Sequence, residues 1–341
     1  IPFFVLTILI SVVTVWAQSK DGVIASADAI PFSARLANAA VSYASYLLKT
    51  FWPTNLAVYY PYDFALPWES VALAAAVVGI VTAAVLFKAG ALPFLPVGWF
   101  WYLGTLIPVI GFVQVGSQAM ADRYTYLPSI GIAIMLAWGI PSFLPHAQIR
   151  KRILWPAATA VLVILACLTF VQCGYWKNSF TLFGHALRTT QNSATVHNNF
   201  GLALLEKNLP AQAVEHLTQA IALKKDDAFA YNNRGNAYAA MNRFPQAMDD
   251  FHQAIALRPD YAEAFYNLGT LYGRLGRQSP AVENLSAAIR IKPDYADAYN
   301  NRAFVYLSAG QNDIGCLDAK KACALGNCKI WKSPVAEKLC R

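Results

Sequence analysis

The sequence predicts an all-α protein in two parts, a multi-spanning bundle of transmembrane helices followed by an α-solenoid. Three observations carry that expectation. Of 341 residues, 57% are hydrophobic and 13% charged, against about 25% charged in a typical soluble domain; the deficit lies before Tyr175, and ordinary charge density returns after it. Several apolar runs in the first part approach the roughly 20 residues that a bilayer requires. The second part repeats every 34 residues, with small side chains at fixed places.

The apolar stretches are Ile1–Gln18, Trp68–Phe87, Pro93–Val115, Tyr126–Leu144 and Ile153–Cys173. Pro93, Pro96 and Pro108 in the third and Pro141 in the fourth free backbone carbonyls, which predicts kinks packed against neighbouring helices. Between the first two stretches, Ala34 to Phe51 carries Tyr and Leu with one Lys, the pattern of an amphipathic helix lying along the interface. The chain opens on Ile1 without a basic flank, so it is expected to start inside a membrane helix, truncated at its amino end. Arg150, Lys151 and Arg152 join the fourth and fifth stretches, and Lys88 the second and third. Both loops fall on one face, cytoplasmic by the positive-inside rule. The segment around Asp122 and everything after Cys173 then lie outside, and the short loops fit a bacterial inner membrane with the repeats in the periplasm. The net charge of +8 forms no Lys/Arg run and meets no nucleic-acid motif, so membrane lipids rather than nucleic acid are the expected partners.

In the second part Gly201, Gly235, Gly269 and Ala303 are 34 apart, as are Ala220, Ala254, Ala288 and Ala322. Leu204, Tyr238, Tyr272 and Tyr306 keep the same spacing. This is the signature of the tetratricopeptide repeat (TPR), two antiparallel helices whose backbones approach at the small positions. Asp260 with Glu263 is expected to form a capping box. The register reaches back to Phe183, Ala186 and Leu187, so Tyr175–Thr190 is expected as a lone second helix running straight on from the last membrane helix. The resulting division is 1–174 for the membrane region, 175–192 for the connecting half-repeat, 193–326 for about four repeats, and 327–341 for a cysteine-containing cap.

Asn199, Asn233, Asn267 and Asn301 recur just before the small residue of each first helix, a position expected to face the concave groove. An amide there can donate to and accept from a polypeptide backbone, and the row is similar to the asparagine ladder of O-GlcNAc transferase. The bland reading is a solvated or locally bonded Asn. At the outer end of a membrane helix, Asp122 and Arg123 form an expected pair; an Arg there suits a lipid-linked phosphate, with Tyr124 and Tyr126 adding hydroxyls or lining an isoprenoid tail. The bland reading is an interfacial anchor with Tyr in the aromatic belt.

Asp122-Arg123-Tyr124-Thr125-Tyr126-Leu127-Pro128-Ser129-Ile130-Gly131 resembles the acidic-Arg-x-x-Tyr-x-Pro-Ser-x-Gly segment of the transmembrane and TPR-containing O-mannosyltransferases and their bacterial relatives. Phe51-Trp52-Pro53-Thr54-Asn55-Leu56 resembles the Trp-Pro-Ser-Asn-Leu loop of the same family, and the order of membrane helices and repeats agrees. The resemblance implies a GT-C type glycosyltransferase that uses a polyprenyl-phosphate sugar outside the cytoplasm, with Arg123 at the donor phosphate and a polypeptide acceptor held by the repeats. It also implies a catalytic acid in an outer loop upstream of Ile1, so the chain alone is expected to be inactive. Asp63 and Glu69 are read as solvated helix-flanking residues. The alternative is a membrane-anchored TPR scaffold that binds protein partners without catalysis.

Cys316, Cys323, Cys328 and Cys340 cluster at the carboxyl end. Disulfides in an oxidising compartment are the preferred reading over zinc, because the spacing gives no paired Cys-x-x-Cys units; three pairings stay open. Cys167 and Cys173 are expected as small apolar fillers. The sequence identifies no cofactor, and the phosphate chemistry leaves room for a divalent metal.

Overall fold

The computed structural model describes residues 31–62, 66–110, 118–142, 146–190 and 193–340. It separates into two units, Ile1–Gln191 and Asn192–Arg341. In the first unit α1 (Phe32–Phe51), α2 (Trp68–Lys88), α3 (Phe94–Leu106), α4 (Tyr126–Ser142), α5 (Ala147–Tyr175) and α6 (Ser179–Thr189) are joined by an antiparallel ribbon of β1 (Tyr60–Pro61) and β2 (Gln118–Met120).

Among the described residues, three helices are long and apolar enough to cross a membrane: Trp68–Lys88, Asp122–Ser142 and Gln148–Tyr175. Within the expected span Pro93–Val115 the described apolar helix runs Phe94–Val109, and residues 111–115 lie outside the described residues. Pro108 sits in a 3-10 turn, Ile107–Val109, where its missing N–H closes the α-helix. The expected span Ile1–Gln18 lies outside the described residues, as does Asp63. Glu69 is exposed in the first turn of α2, where its charge favours the helix N-terminus. Along α5 the apolar side chains from Val161 to Leu165 and at Phe170 are exposed, a surface matched to lipid rather than to water.

Helix α1 turns its polar side inward. Leu36, Leu48 and Phe51 are exposed, whereas Asn38, Ser42 and Tyr46 are buried. The reason is hydrogen bonding: Asn38 Nδ2 donates to Ala119 O at 3.3 Å, Tyr43 Oη donates to Leu103 O at 2.8 Å, and Tyr102 Oη donates to Tyr43 O at 2.6 Å. Helices α3 and α4 touch through glycine. A Cβ on Gly98 would collide with the Gly131 carbonyl, and one on Gly131 with the Gly98 carbonyl. Such small-residue contacts supply the van der Waals packing on which helices in lipid depend, and they account for the glycine that ends the Asp122–Gly131 segment.

Helix α5 does not run straight into α6, contrary to expectation. The break falls at 176–178, and Asn178 starts the new helix by accepting the Thr181 N–H at 2.9 Å.

The second unit holds four helix pairs: α7 (Ala194–Glu206) with α8 (Pro210–Leu223), α9 (Ala228–Ala240) with α10 (Phe244–Leu257), α11 (Ala262–Arg274) with α12 (Gln278–Ile291), and α13 (Ala296–Ser308) with α14 (Asn312–Ala324). A short α15 (Pro334–Leu339) follows. The turn inside each pair reverses at Asn208, Asn242, Gly276 and Gly310, all with positive φ, the conformation that Gly and Asn adopt most easily. Asp227 caps α9, accepting from Phe229 and Ala230 N–H. The expected capping box at Asp260 and Glu263 is absent: the N-cap of α11 is Tyr261, so Asp260 stands one residue too early. Phe251 fills the space over Gly235 and is 1% exposed.

Candidate functional site

The β1–β2 ribbon sets the loop after α1 against the Asp-Arg-Tyr turn. Tyr60 lies opposite Met120 and Pro61 opposite Gln118, with an irregularity between them. Tyr46 secures the entry to the turn. Its hydroxyl accepts from Ala121 N–H at 2.9 Å and donates to Ala121 O at 3.2 Å. Residues Asp122–Thr125 then make one 3-10 turn that leads directly into α4.

Asp122 and Arg123, expected as a pair, do not bond to each other among the described residues. Successive side chains of a 3-10 turn diverge by about 120°. The Asp122 carboxylate accepts the Tyr60 hydroxyl, 2.9 Å from each oxygen. That hydroxyl accepts in turn from Lys49 Nζ at 2.7 Å and from Ala57 N–H at 2.8 Å. One donor and two lone pairs are therefore all engaged. Burial, then the Asp122 charge, push the Tyr60 hydroxyl far above the usual phenol range, so it keeps its proton. Burial lowers Lys49, and Asp122 opposes that shift. Arg123 instead lies over the Tyr124 ring at 5.2 Å, and no ion pair engages it among the described residues.

Asp122, Arg123 and Tyr126 line a cavity of about 580 Å³. Pro53, Leu56, Ala57 and Val58 form another wall, and Leu165, Leu168, Thr169, Gln172, Cys173 and Trp176 of the α5 region a third. Tyr124 is not among the lining residues; its hydroxyl accepts from Gln118 Nε2 at 3.1 Å. Asn55 adopts φ +54° and turns its carbonyl to Lys49 Nζ, 3.2 Å away. His185 Nε2 lies 2.9 Å from Leu56 O while its ring stacks on Tyr175 at 3.8 Å. Sequence reasoning missed Lys49, Tyr60 and His185. No spacing links them to Asp122, since the ribbon and the α5–α6 break alone bring them near.

The asparagines are largely used between repeats. Asn233 Nδ2 donates to Asn198 Oδ1 at 2.9 Å and Asn267 Nδ2 to Asn232 Oδ1 at 2.9 Å. Asn301 Nδ2 reaches Tyr266 Oη at 3.2 Å and Thr270 Oγ1 at 3.0 Å. The bonds from Asn233, Asn267 and Asn301 to Asn198, Asn232 and Tyr266 each span 35 residues. Past the last repeat, the backbone N–H of Ile330 donates to Asn300 Oδ1 at 3.0 Å, in place of a next amide. Asn199 is half-buried, its oxygen 3.5 Å from Asn198 Nδ2. Two surface pockets of about 260 and 220 Å³ share Thr270 and Arg274; Asn267 lines the first and Asn301 the second.

A second interlock is bidentate. Arg234 donates to both oxygens of Asp250 at 2.8 Å and to Thr218 Oγ1 at 3.2 Å. Two repeats later Arg302 does the same with Asp318, at 2.7 and 2.9 Å, and with Ser286 at 2.8 Å. In the first repeat His197 and His216 face each other with Nδ1 atoms 3.2 Å apart. Cys316 pairs with Cys340 and Cys323 with Cys328, choosing one of the three open pairings and fastening the segment that carries Ile330. Cys167 and Cys173 are exposed rather than packed inside the unit. Among the described residues no three of His, Cys, Asp and Glu gather as a metal-binding group.

A family model described as TPR repeat matches residues 235–276 and 274–310. Over 137 residues the chain is 30% identical to mouse Protein O-mannosyl-transferase TMTC3, covering 40% of this chain and 14% of the relative. Human Protein O-mannosyl-transferase TMTC4 is 27% identical over 125 residues, 37% of this chain and 15% of the relative. The matched segment is thus a small part of these relatives' length. The crystal structure of MamA aligns with 29% identity and a TM-score of 0.39, over 43% of this chain and 85% of that one. Residues 235–310 therefore carry TPR repeats, part of the chain is similar to the O-mannosyl-transferases TMTC3 and TMTC4, and among the described residues three helices are long and apolar enough to cross a membrane.

Proposed function

We propose that this chain is part of a membrane glycosyltransferase, O-mannosyltransferase-like, that takes a sugar from a polyprenyl-phosphate donor and transfers it to a polypeptide. The observation that carries the reading is the cavity lined by Arg123, which has no carboxylate partner among the described residues, beside an apolar wall of Leu165 and Leu168. A guanidinium offers a phosphate two parallel charge-assisted hydrogen bonds, and the apolar wall suits the first isoprene units. Asp122 is tied to Tyr60, so we assign it no base role. The relatives named O-mannosyl-transferase support the reaction class.

The acceptor polypeptide is assigned to the groove face of the third and fourth repeats, where Asn267, Thr270, Arg274 and Asn301 line the adjoining pockets. The disulfides favour an oxidising compartment for the repeats, consistent with a periplasmic array on a bacterial inner membrane.

Native mass spectrometry in detergent with polyprenyl-phosphate mannose tests the donor site. Wild-type protein is expected to hold the lipid and Arg123→Ala to lose it. Equal binding by both would reduce Arg123 to an interfacial anchor and end the reading.

A further inference from the structure

The Asp122 carboxylate sits in the same cavity lining as Arg123, and an anion entering there would meet both charges. The geometry points to a positioning role for Tyr60: its hydroxyl ties Asp122 to Lys49, so that Arg123 is left as the uncompensated charge facing an entering phosphate. This rests on the donor-phosphate reading above and adds a residue that lies outside the Asp122–Gly131 segment.

Four observations support it. The Tyr60 proton is shared by both Asp122 oxygens at 2.9 Å. The opposite side of the same oxygen receives the Lys49 ammonium at 2.7 Å, so Lys49 and Asp122 form a neutral pair bridged by a phenol. No direct Lys49–Asp122 or Arg123–Asp122 ion pair is present among the described residues. The Lys49 ammonium also lies 4.4 Å from the centre of the Tyr60 ring, which fixes the ring as well as its hydroxyl. Without the hydroxyl, Asp122 loses the bridge that ties it to Lys49, and its charge opposes any anion at Arg123 across a cavity edge of low dielectric.

Removing the hydroxyl alone is therefore a sharper test than removing either charge. The full chain in detergent would be titrated with farnesyl phosphate, and with farnesol as the uncharged control. Tyr60→Phe is expected to weaken farnesyl phosphate about tenfold, the scale of one lost charge-assisted interaction, and to leave farnesol unchanged. Tyr60→Phe combined with Asp122→Asn is expected to recover wild-type affinity, because a neutral amide no longer opposes the phosphate. A merely structural role for Tyr60 would show equal weakening in the single and double variants, or weakening of farnesol too, and either result would overturn the proposal.

A second readout separates this proposal from the donor reading. Phenylglyoxal labelling of Arg123, followed by peptide mass, needs no lipid. Tyr60→Phe is expected to slow labelling as Asp122 turns toward the guanidinium, and the double variant to restore it. If Arg123→Ala leaves farnesyl phosphate binding intact, the donor reading fails while the labelling result still decides on Tyr60. Equal labelling of wild type and Tyr60→Phe would overturn the positioning role.

Discussion

Asn267 donates its side-chain amide to Asn232 across a repeat boundary at 2.9 Å, and the same bond joins Asn233 to Asn198. The asparagine row is therefore part of what fastens one repeat to the next. Where the donors are spent in this way, a bound polypeptide meets a surface set by the packing of the array rather than a row of free amides.

Asn233→Ala tests that role. Asn198 and Asn233 are 9% and 8% exposed, so the variant leaves a nearly buried carboxamide oxygen unpaired at a cost of about 1–3 kcal/mol. Urea unfolding of the array should show the loss in the midpoint. An unchanged midpoint would return the residue to a groove-only role.

The Arg234–Asp250 pair has an internal control. One repeat later the equivalent positions are Leu268 and Asn284, and Asn284 bonds locally to Pro280 O at 2.8 Å. Asp250→Ala strands the guanidinium, whose side chain is 18% exposed; a loss of about 3 kcal/mol is expected, the low end for a broken buried pair. Arg234→Leu with Asp250→Asn should recover much of it. A double-mutant cycle reads the coupling directly, and additive losses would mean that the pair contributes nothing as a pair.

His197 and His216 set a pH dependence for the first repeat. Burial lowers both below the usual imidazole value of 6.5; for His197 the neighbouring His216 adds to the shift, and for His216 the charge of Glu215 opposes it. The unfolded chain then binds more protons than the folded one just below pH 6.5, so stability rises with pH through that window and is lost as pH falls. Hydrogen exchange of α7 and α8 should quicken at pH 5.5 relative to 7.5. His197→Phe should flatten the difference, and a persistent slope in that variant would assign it to other groups.

His185 steadies the loop at the cavity edge through the Leu56 carbonyl. His185→Ala is expected to quicken hydrogen exchange over residues 56–58, with about 0.5–1.5 kcal/mol of lost stability. His185→Gln, which keeps a donor, should hold the loop. Identical exchange in wild type and His185→Ala would show that neither the hydrogen bond nor the stacking on Tyr175 steadies the loop.

How far the chain was legible depended on periodicity. The repeats were readable because Gly235, Ala254 and their equivalents recur every 34 residues, and a Cβ at Gly201, Gly235 or Gly269 would meet Leu217, Phe251 or Leu285. The turn residues Asn208, Asn242, Gly276 and Gly310 obey the same period, a signal that was available and passed unnoticed. The Asp122–Gly131 segment was legible as a unit, and Gly131 proved to be a close contact with Gly98. The direction of the Asp122 side chain was not readable, because it depends on Tyr60, brought close by a two-residue strand too short to carry an alternation pattern. The third apolar stretch misled for a related reason: hydropathy counts Pro108 as tolerable, whereas the backbone ends its α-helix at Leu106.

The boundary bonds also bear on how such an array can change in copy number. Every internal junction places one side-chain amide of the later unit on acceptors of the earlier one, so excising α11 and α12 would set Asn301 opposite Asn232, which already accepts such an amide. Gain or loss of an internal unit is then nearly silent in the polar bookkeeping. The terminal unit is different, since Asn300 is closed by the Ile330 backbone within a disulfide-fastened segment. The unit that holds Asn300 is therefore not interchangeable with the internal ones.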